Sequence, residues 1–412
     1  MVNAAEKLPV LIAGGGLGGL GLALALGRRG VAVQVLEQAN EIVPIGYGIQ
    51  LGPNVFPIFI ELGVYDAVLA ASHQPPALVM PDSIGGDELL RIPVNTTIFK
   101  ERFEHPYVVI HRGDLHDILL TACADYSNIE LTSSANVIGY REHPNHISVR
   151  TEDNRSFDGL ALVAADGVKS LLRETFVAEK GPVPIGYVAH RTTVSMSDVP
   201  PGFPYRDEVV LWAGPGHHVV NYPLQDGKVL NIVAVFKSDG GSTTGDYQRE
   251  FDSVYRNVCP DLRGLLQFMD LKRRWDLSDR DPIRSWYAGR VVLLGDAAHP
   301  ALQSLAQGAC MALEDASCLA QQLSTAVDLS RISVERAFAA YQKARFIRTA
   351  RLQLESRSLW GFYHAGGIER EVRNAALSER SVSDSYQCVS WLWDSRNNAQ
   401  AVSPQPDEAG SI

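Results

Sequence analysis

The chain has 412 residues, of which 46% are hydrophobic and 20% charged, and a formal net charge of −10. That is enough chain for two closely packed domains, since single cores seldom grow past about 250–300 residues, and its composition excludes a disordered or fibrous protein. The acidic balance argues against nucleic acid as a partner, no apolar run approaches the roughly 20 residues of a membrane span, and the opening MVNAAEKLPVLIAGGG lacks the leader of a secretory signal. Cysteines at 123, 259, 310, 318 and 388 form no CxxC and no ligand-like pairing with histidine. Buried free thiols in a reducing cytoplasm are expected, and no metal site.

In chain order, Val10-Leu-Ile-Ala13 reads as a short buried strand, Gly14-Gly-Gly-Leu-Gly-Gly19 as a turn, and Leu20 to Arg29 as a helix stopped by Gly30. Val31 to Glu37 is a second strand ending in an acid. The result is a βαβ unit with Gly14, Gly16 and Gly19 in G-x-G-x-x-G register, a dinucleotide fingerprint. The first glycine permits the turn, the second lets backbone approach a pyrophosphate, and the third lets helix and strand pack closely. The helix N-terminus favours the phosphate charge, and Glu37 is placed to accept from an adenosine ribose. The fingerprint does not distinguish NAD from FAD.

Tyr107-Val-Val-Ile110 is a strand entering a helix through His111-Arg112-Gly-Asp114, with Asp114 the expected N-cap. Leu160 to Ala165 reads as a strand buried on both faces, ending in Asp166-Gly167-Val-Lys-Ser170-Leu-Leu-Arg173, where Asp166 and Arg173 could also form a plain ion pair. Residues 181–280 change texture. Val209 to Ala213, His218 to Pro223 and Val229 to Phe236 read as strands separated by Gly, Pro and Asp turns, predicting a largely antiparallel sheet. A last buried strand, Val291 to Leu294, ends in Gly295-Asp296, then Ala-Ala-His299-Pro300; Asp296 reads as a ligand anchor or as a cap for the segment after Pro300. A long small-residue helix follows to about Ala326, with Ala309, Ala312, Leu313, Ala316, Leu319 and Leu323 facing a core. Val334 to Leu359 is helical and carries Arg345, Arg348 and Arg351, a basic stripe for solvent, for acids or for a homodimer contact. Residues 398–412 are polar, contain two prolines and are expected to fray.

Three motifs in order, Gly14 to Gly19, Asp166 to Arg173 as D-G-x-x-S-x-x-R, and Gly295 to Pro300 as G-D followed by A-x-H-x, resemble the single-component flavoprotein aromatic hydroxylases, the family sharing the para-hydroxybenzoate hydroxylase fold. The resemblance covers essentially the whole chain. It implies an α/β fold: a Rossmann-like FAD-binding domain (1–75, 104–180 and 281–345), a mostly antiparallel substrate-binding domain (76–103 and 181–280), and a C-terminal helical region (346–397). It also implies FAD as cofactor and NADH or NADPH as electron donor. Gly14, Gly16 and Gly19 would lie at the pyrophosphate, Glu37 on the adenosine ribose, Arg112 beside the cofactor, Asp296 on the ribitol and its attached phosphate region, and Asp166 near FAD and the pyridine nucleotide. The N-terminus of the late helix, from Gln307 through Gly308 and Ala309, would face the N1–C2 carbonyl edge of the flavin.

Within the family, Gly214-Pro-Gly-His-His218-Val-Val-Asn-Tyr222-Pro-Leu224, His299-Pro-Ala-Leu-Gln303, Trp360-Gly-Phe-Tyr-His364-Ala-Gly-Gly367, Arg373-Asn374 and Trp391-Leu-Trp393 resemble the branch that turns 3-hydroxybenzoate into gentisate. The resemblance implies oxygen transfer through a flavin C4a-hydroperoxide, with His218 and Tyr222 addressing the substrate phenol and Gln303 the ring edge hydroxylated. Neighbouring His217 would face the other side of its strand. A small aromatic acid and dioxygen are the implied partners, in a cytoplasmic enzyme. The alternatives are salicylate 1-hydroxylation, which releases carbon dioxide, and, more distantly, a nonenzymatic flavin-binding regulator.

Overall fold

The computed structural model describes residues 8–40, 47–178, 181–238, 240, 247–325 and 330–395. The tail expected to fray, 398–412, lies outside the described residues.

A six-stranded sheet gathers the three motifs. Its order is Tyr287–Ala288, Val291–Leu293, Ala161–Ala164, Val10–Ala13, Val33–Leu36 and Ile129–Thr132, parallel throughout except for the first pairing. The three motif-bearing strands are neighbours and run the same way, so Gly14, Asp166 and Gly295-Asp296 leave the sheet along one edge, where open α/β sheets bind ligands. Strands Val10–Ala13, Ala161–Ala164 and Val291–Leu293 are buried throughout, as their unbroken apolar runs require.

The helix Leu17–Arg28 lies between this sheet and the helix Gly308–Ser324. Its glycines allow the close approach: a methyl at Gly18 would stand 2.8 Å from Leu294 Cδ2 and 3.1 Å from Ala312 Cβ, and one at Gly21 would stand 2.7 Å from Leu313 Cδ2.

The second sheet has seven strands in the order Trp275–Asp279, Val183–Ser195, Val229–Lys237, His217–Leu224, Val209–Gly214, Ala77–Pro81 and Glu88–Pro93. It is antiparallel except where Val209–Gly214 meets Ala77–Pro81. Residue parity divides its faces. Val188, Val210, Trp212, Val219, Ile232 and Phe236 pack under Phe251, Tyr255 and Leu262 of two short helices. The opposite face, with Ala189, Val233 and Val235, packs against Trp360 and Leu302 and carries the site described below.

The helix Arg331–Tyr363 runs unbroken for 33 residues, so the expected division at 345/346 falls inside one element. Its basic stripe is not one solvated face. Arg345 lies 2.7 Å from both Glu314 and Asp315, and Arg348 reaches Glu314 at 2.8 Å, all of these acids buried; only Arg351 is exposed, paired with Glu355 at 2.6 Å and lying over the Trp391 ring. Two local expectations are corrected. The helix expected to start at Asp114 begins at Arg112 with His111 as N-cap, placing Asp114 in the first turn, where an acid is equally favoured by the dipole. Cys388 is exposed, whereas the other four cysteines are buried as expected. Among the described residues no helix is long and apolar enough to cross a membrane.

Candidate active site

The cofactor-side residues converge at the C-terminal edge of the parallel sheet. Gly14 has φ +110°, and a side chain there would run into the Ala165 carbonyl, so strand Ala161–Ala164 and the turn after Ala13 touch only because position 14 is glycine. A methyl at Gly19 would run into the Gly14 carbonyl, whereas one at Gly16 would meet nothing within 4 Å. Gly16 therefore faces open space, as a backbone surface for a pyrophosphate must. His116 holds this turn from behind, its Nε2 lying 2.8 Å from the Gly15 carbonyl. Glu37 accepts from Gly15 N–H at 2.7 Å and from Ala39 N–H at 2.9 Å, which fixes the carboxylate at the strand end.

Asp296 lies deep in the molecule yet is solvent-accessible, and it makes no hydrogen bond to the described residues. Desolvation raises its pKa from the ordinary carboxylate value, partly offset by His299 and Arg112. An acid opening onto a cleft with no protein partner is available to hydroxyl donors, of the kind the ribitol of an FAD would offer. Asp166 behaves similarly: one oxygen, Oδ1, is buried without a partner while Oδ2 accepts weakly from Leu172 N–H at 3.4 Å, and desolvation again raises its pKa. Asp166 does not pair with Arg173, which donates instead to the Ala297 and Ala298 carbonyls. The helix Gly308–Ser324 starts with no side chain capping its N-terminus, leaving N–H groups of its first turn, at Gly308 and Ala309, to a ligand. A methyl at Gly308 would stand 3.8 Å from Asp296 Oδ1, placing the two features side by side. Gly14, Gly16, Gly19, Arg112, Asp166, Asp296, Gly308 and Ala309 line one edge of the sheet where an extended dinucleotide could lie, with Glu37 toward its far end.

Beneath this cleft a buried charge network fixes the Gly295-Asp296 turn. Asp315 accepts from Gly295 N–H at 3.1 Å, lies 2.5 Å from His299 Nε2 and accepts from Arg345 Nε at 2.7 Å. Burial works to raise the Asp315 and Glu314 carboxyls, but the charges of His299 and Arg345 on one, and of Arg348 and Arg345 on the other, hold both at about 2.

The substrate-side residues lie on the inner face of the seven-stranded sheet. Parity separates the two histidines as expected: His217 turns away, its Nε2 2.9 Å from Ser83 Oγ and its Nδ1 3.0 Å from the Pro215 carbonyl, while His218 and Tyr222 share the other face. Cross-strand register aligns Leu211, Val220, Val233 and Arg191 in one row. On the strand His217–Leu224 every residue is buried except Val220, and Leu211 and Arg191 in the same row are also only partly covered. The inner face of the sheet is therefore least covered at Val220, an open patch, or hollow, with His218 on one side, Tyr222 about 13 Å from it along the strand on the other, and Arg191 across it in the same row. That span accommodates a substituted benzene ring.

His218 Nδ1 lies 2.7 Å from His364 Nε2, and no other described residue bonds to His218. Burial, then the neighbouring His364 and His217, push its pKa well below the usual histidine value, and burial holds His364 at about 3. Tyr222 is 3% exposed and packs on Gly48, whose N–H donates to Asn231 Oδ1 at 3.0 Å; burial raises its phenol pKa. Gln303 Oε1 accepts from Arg191 Nη2 at 3.0 Å, which ties the turn after Pro300 to the sheet. Arg191, His364, Asn231 and the Glu314–Asp315 pair are site components that sequence reasoning missed. The available signal for Arg191 was a cation at inward parity in the apolar strand Val183–Ser195.

The family model described as FAD binding domain matches residues 7–350. The 3-hydroxybenzoate 6-hydroxylase of Polaromonas naphthalenivorans (strain CJ2) is 41% identical over 95% of this chain and 97% of its own length, and that of Klebsiella oxytoca is 36% identical over 94% and 97%. Among solved structures, Klebsiella pneumoniae HpxO complexed with FAD and uric acid is similar at TM-score 0.82 and 22% identity, covering 95% of this chain and 97% of that one. A salicylate hydroxylase substrate complex is similar at TM-score 0.79 and 21% identity, covering 98% and 100%. At those identities the structural likeness shows the fold.

Proposed function

The chain belongs to the FAD-binding domain family, and on that premise we propose that it is an FAD-dependent aromatic hydroxylase converting 3-hydroxybenzoate, NAD(P)H, a proton and dioxygen to gentisate, NAD(P)+ and water. The carrying observation is the hollow over Val220, which faces the cofactor-side turn through Gln303 and is bounded by His218, Tyr222 and Arg191. The chemistry that bound FAD supplies is reduction by NAD(P)H and activation of dioxygen for electrophilic attack on an electron-rich ring. The cofactor ligands in this reading are Gly14, Gly16, Gly19, Glu37, Arg112, Asp166, Asp296, Gly308 and Ala309, and segments 76–103 and 181–280 hold the substrate.

The protein's own contribution is to make the ring electron-rich and to aim it. Burial keeps His218 neutral near pH 7. When its Nδ1–H donates to His364 Nε2, its Nε2 is a bare acceptor, able to take the phenol proton as negative charge spreads to the ortho and para carbons. The proton gained can be shared across the 2.7 Å contact with His364. Tyr222 closes the other end of the hollow, and Gln303, held by Arg191, positions the ring edge. The reading places the enzyme in the cytoplasm, where NAD(P)H is produced and its unpaired cysteines stay reduced.

The test compares His218→Ala and Gln303→Ala with the wild type in FAD content, NADH oxidation and gentisate formed per NADH consumed. Both variants should keep FAD and lose most coupled hydroxylation, by about 10²–10⁴-fold for the base. Unchanged turnover and coupling in both would overturn the assignment.

A further inference from the structure

Arg191 is a cation without a counter-ion. Among the described residues no carboxylate lies within ion-pair distance of it, its Nε is shut off from solvent with no partner, and its one hydrogen bond runs from Nη2 to the neutral amide of Gln303. The Tyr47 ring covers it, 5.7 Å from the guanidinium carbon. An uncompensated guanidinium in such a place is costly, and desolvation already lowers its pKa despite its exposure to the hollow.

Its place in the register gives that cost a purpose. Arg191 is opposite Val233, which is opposite Val220, so its Cα stands two strand spacings, about 10 Å, from the floor of the hollow. An extended arginine side chain spans most of that distance, and Val233 beneath it is too short to intervene. His218 and Tyr222 sit one alternation to either side of Val220. A ring over Val220 with its hydroxyl toward His218 therefore has its remaining polar substituent free to face across the sheet.

We propose that Arg191 is the carboxylate anchor of the substrate, binding the acid group of 3-hydroxybenzoate through the Nη1 end of its guanidinium while Nη2 keeps Gln303 in register with the ring. This rests on the hydroxylase reading above and adds its specificity element: the site selects aromatic acids over neutral phenols. Because one guanidinium holds both the carboxylate and the amide of Gln303, substrate binding and ring-edge positioning are coupled, and a phenol lacking the carboxylate leaves Gln303 less well placed.

The test titrates holoenzyme, without NADH, with 3-hydroxybenzoate and with its neutral isostere 3-hydroxybenzamide, following the flavin absorbance. Arg191→Gln should weaken acid binding about 100-fold and Arg191→Lys about 10-fold, while amide binding changes less than about threefold and FAD content is retained. Equal weakening of acid and amide, or no weakening of either, overturns the anchor. Should both variants fail to fold, the wild type decides: unreactive benzoate must bind at least about tenfold more tightly than benzamide, and equal binding refutes the proposal. The two readings fail separately, since a wild type that makes no gentisate sinks the hydroxylase reading. A wild type that makes gentisate, alongside an Arg191→Gln variant that binds the acid normally, sinks only the anchor.

Discussion

Asp315→Asn removes one negative charge from beneath the cofactor cleft while keeping the side-chain shape. Asp315 meets three groups, Gly295 N–H, His299 Nε2 and Arg345 Nε, at 3.1, 2.5 and 2.7 Å. An amide nitrogen in place of either oxygen points donor at donor. The carboxyl sits at about 2 against its ordinary 3.8, a difference corresponding to about 2 kcal/mol, present above pH 3.8 and lost as pH falls through about 2. Breaking a buried ion pair by removing one partner costs about 3–5 kcal/mol, and here Glu314 still faces Arg345 at 2.7 Å, so a loss of about 3 kcal/mol is expected. For a chain of this length that lowers the melting temperature by about 3 °C. The loss is local as well as global: without its Gly295 tether the Asp296 turn shifts, and FAD affinity should fall about tenfold. Thermal unfolding of the apoprotein together with FAD titration measures both. A variant melting within about 1 °C of wild type, with unchanged FAD affinity, would refute the view that this network sets the cofactor turn.

Gly16→Ala and Gly19→Ala should part company: the first leaves apoprotein stability intact and weakens FAD binding about 10–100-fold by filling the space in front of the turn, while the second destabilises the fold itself, since its methyl meets the Gly14 carbonyl; paired melting and FAD titration check both. Gly48→Ala places a methyl 2.8 Å from the Tyr222 hydroxyl and 2.9 Å from its Cζ, against a ring too buried to swing away, and should cost about 1–3 kcal/mol and lower the gentisate formed per NADH; wild-type coupling would contradict this. Burial holds His217 at about 4 and His364 at about 3, so between pH 6 and 5 the unfolded chain binds roughly 1.5 to 1.9 more protons than the folded one. Stability should fall as pH falls there by about 2 kcal/mol per unit from these two histidines; equilibrium denaturation at the two pH values measures it, and a flat profile would count against their buried, neutral state.

Much of this arrangement was legible before any coordinates. The parallel core showed itself because each of its motif strands is a short apolar run ending in glycine or aspartate, a local pattern that survives folding unchanged. The choice of His218 came from the family resemblance, and strand parity, which sets His218 and Tyr222 on one face, supported it over His217. Asp114 was misread because an acid at an N-cap and an acid in the first turn leave the same trace, and only the backbone hydrogen bond from Arg112 to Tyr47 distinguishes them. Arg345 and Arg348 were visible as a stripe, but their acids lie some 30 residues earlier on another helix, and packing between helices is not written in either one. Arg191 stayed hidden for a similar reason: its meaning depends on register across two strand pairings.

The source of the new oxygen and the carbon it joins separate aromatic hydroxylation from every alternative. With holoenzyme, NADH and 3-hydroxybenzoate under ¹⁸O₂, gentisate should carry one ¹⁸O per NADH oxidised, with no carbon dioxide released. Gentisate labelled from water, catechol with carbon dioxide from salicylate as the preferred reaction, or NADH oxidation yielding only hydrogen peroxide would contradict the proposed function.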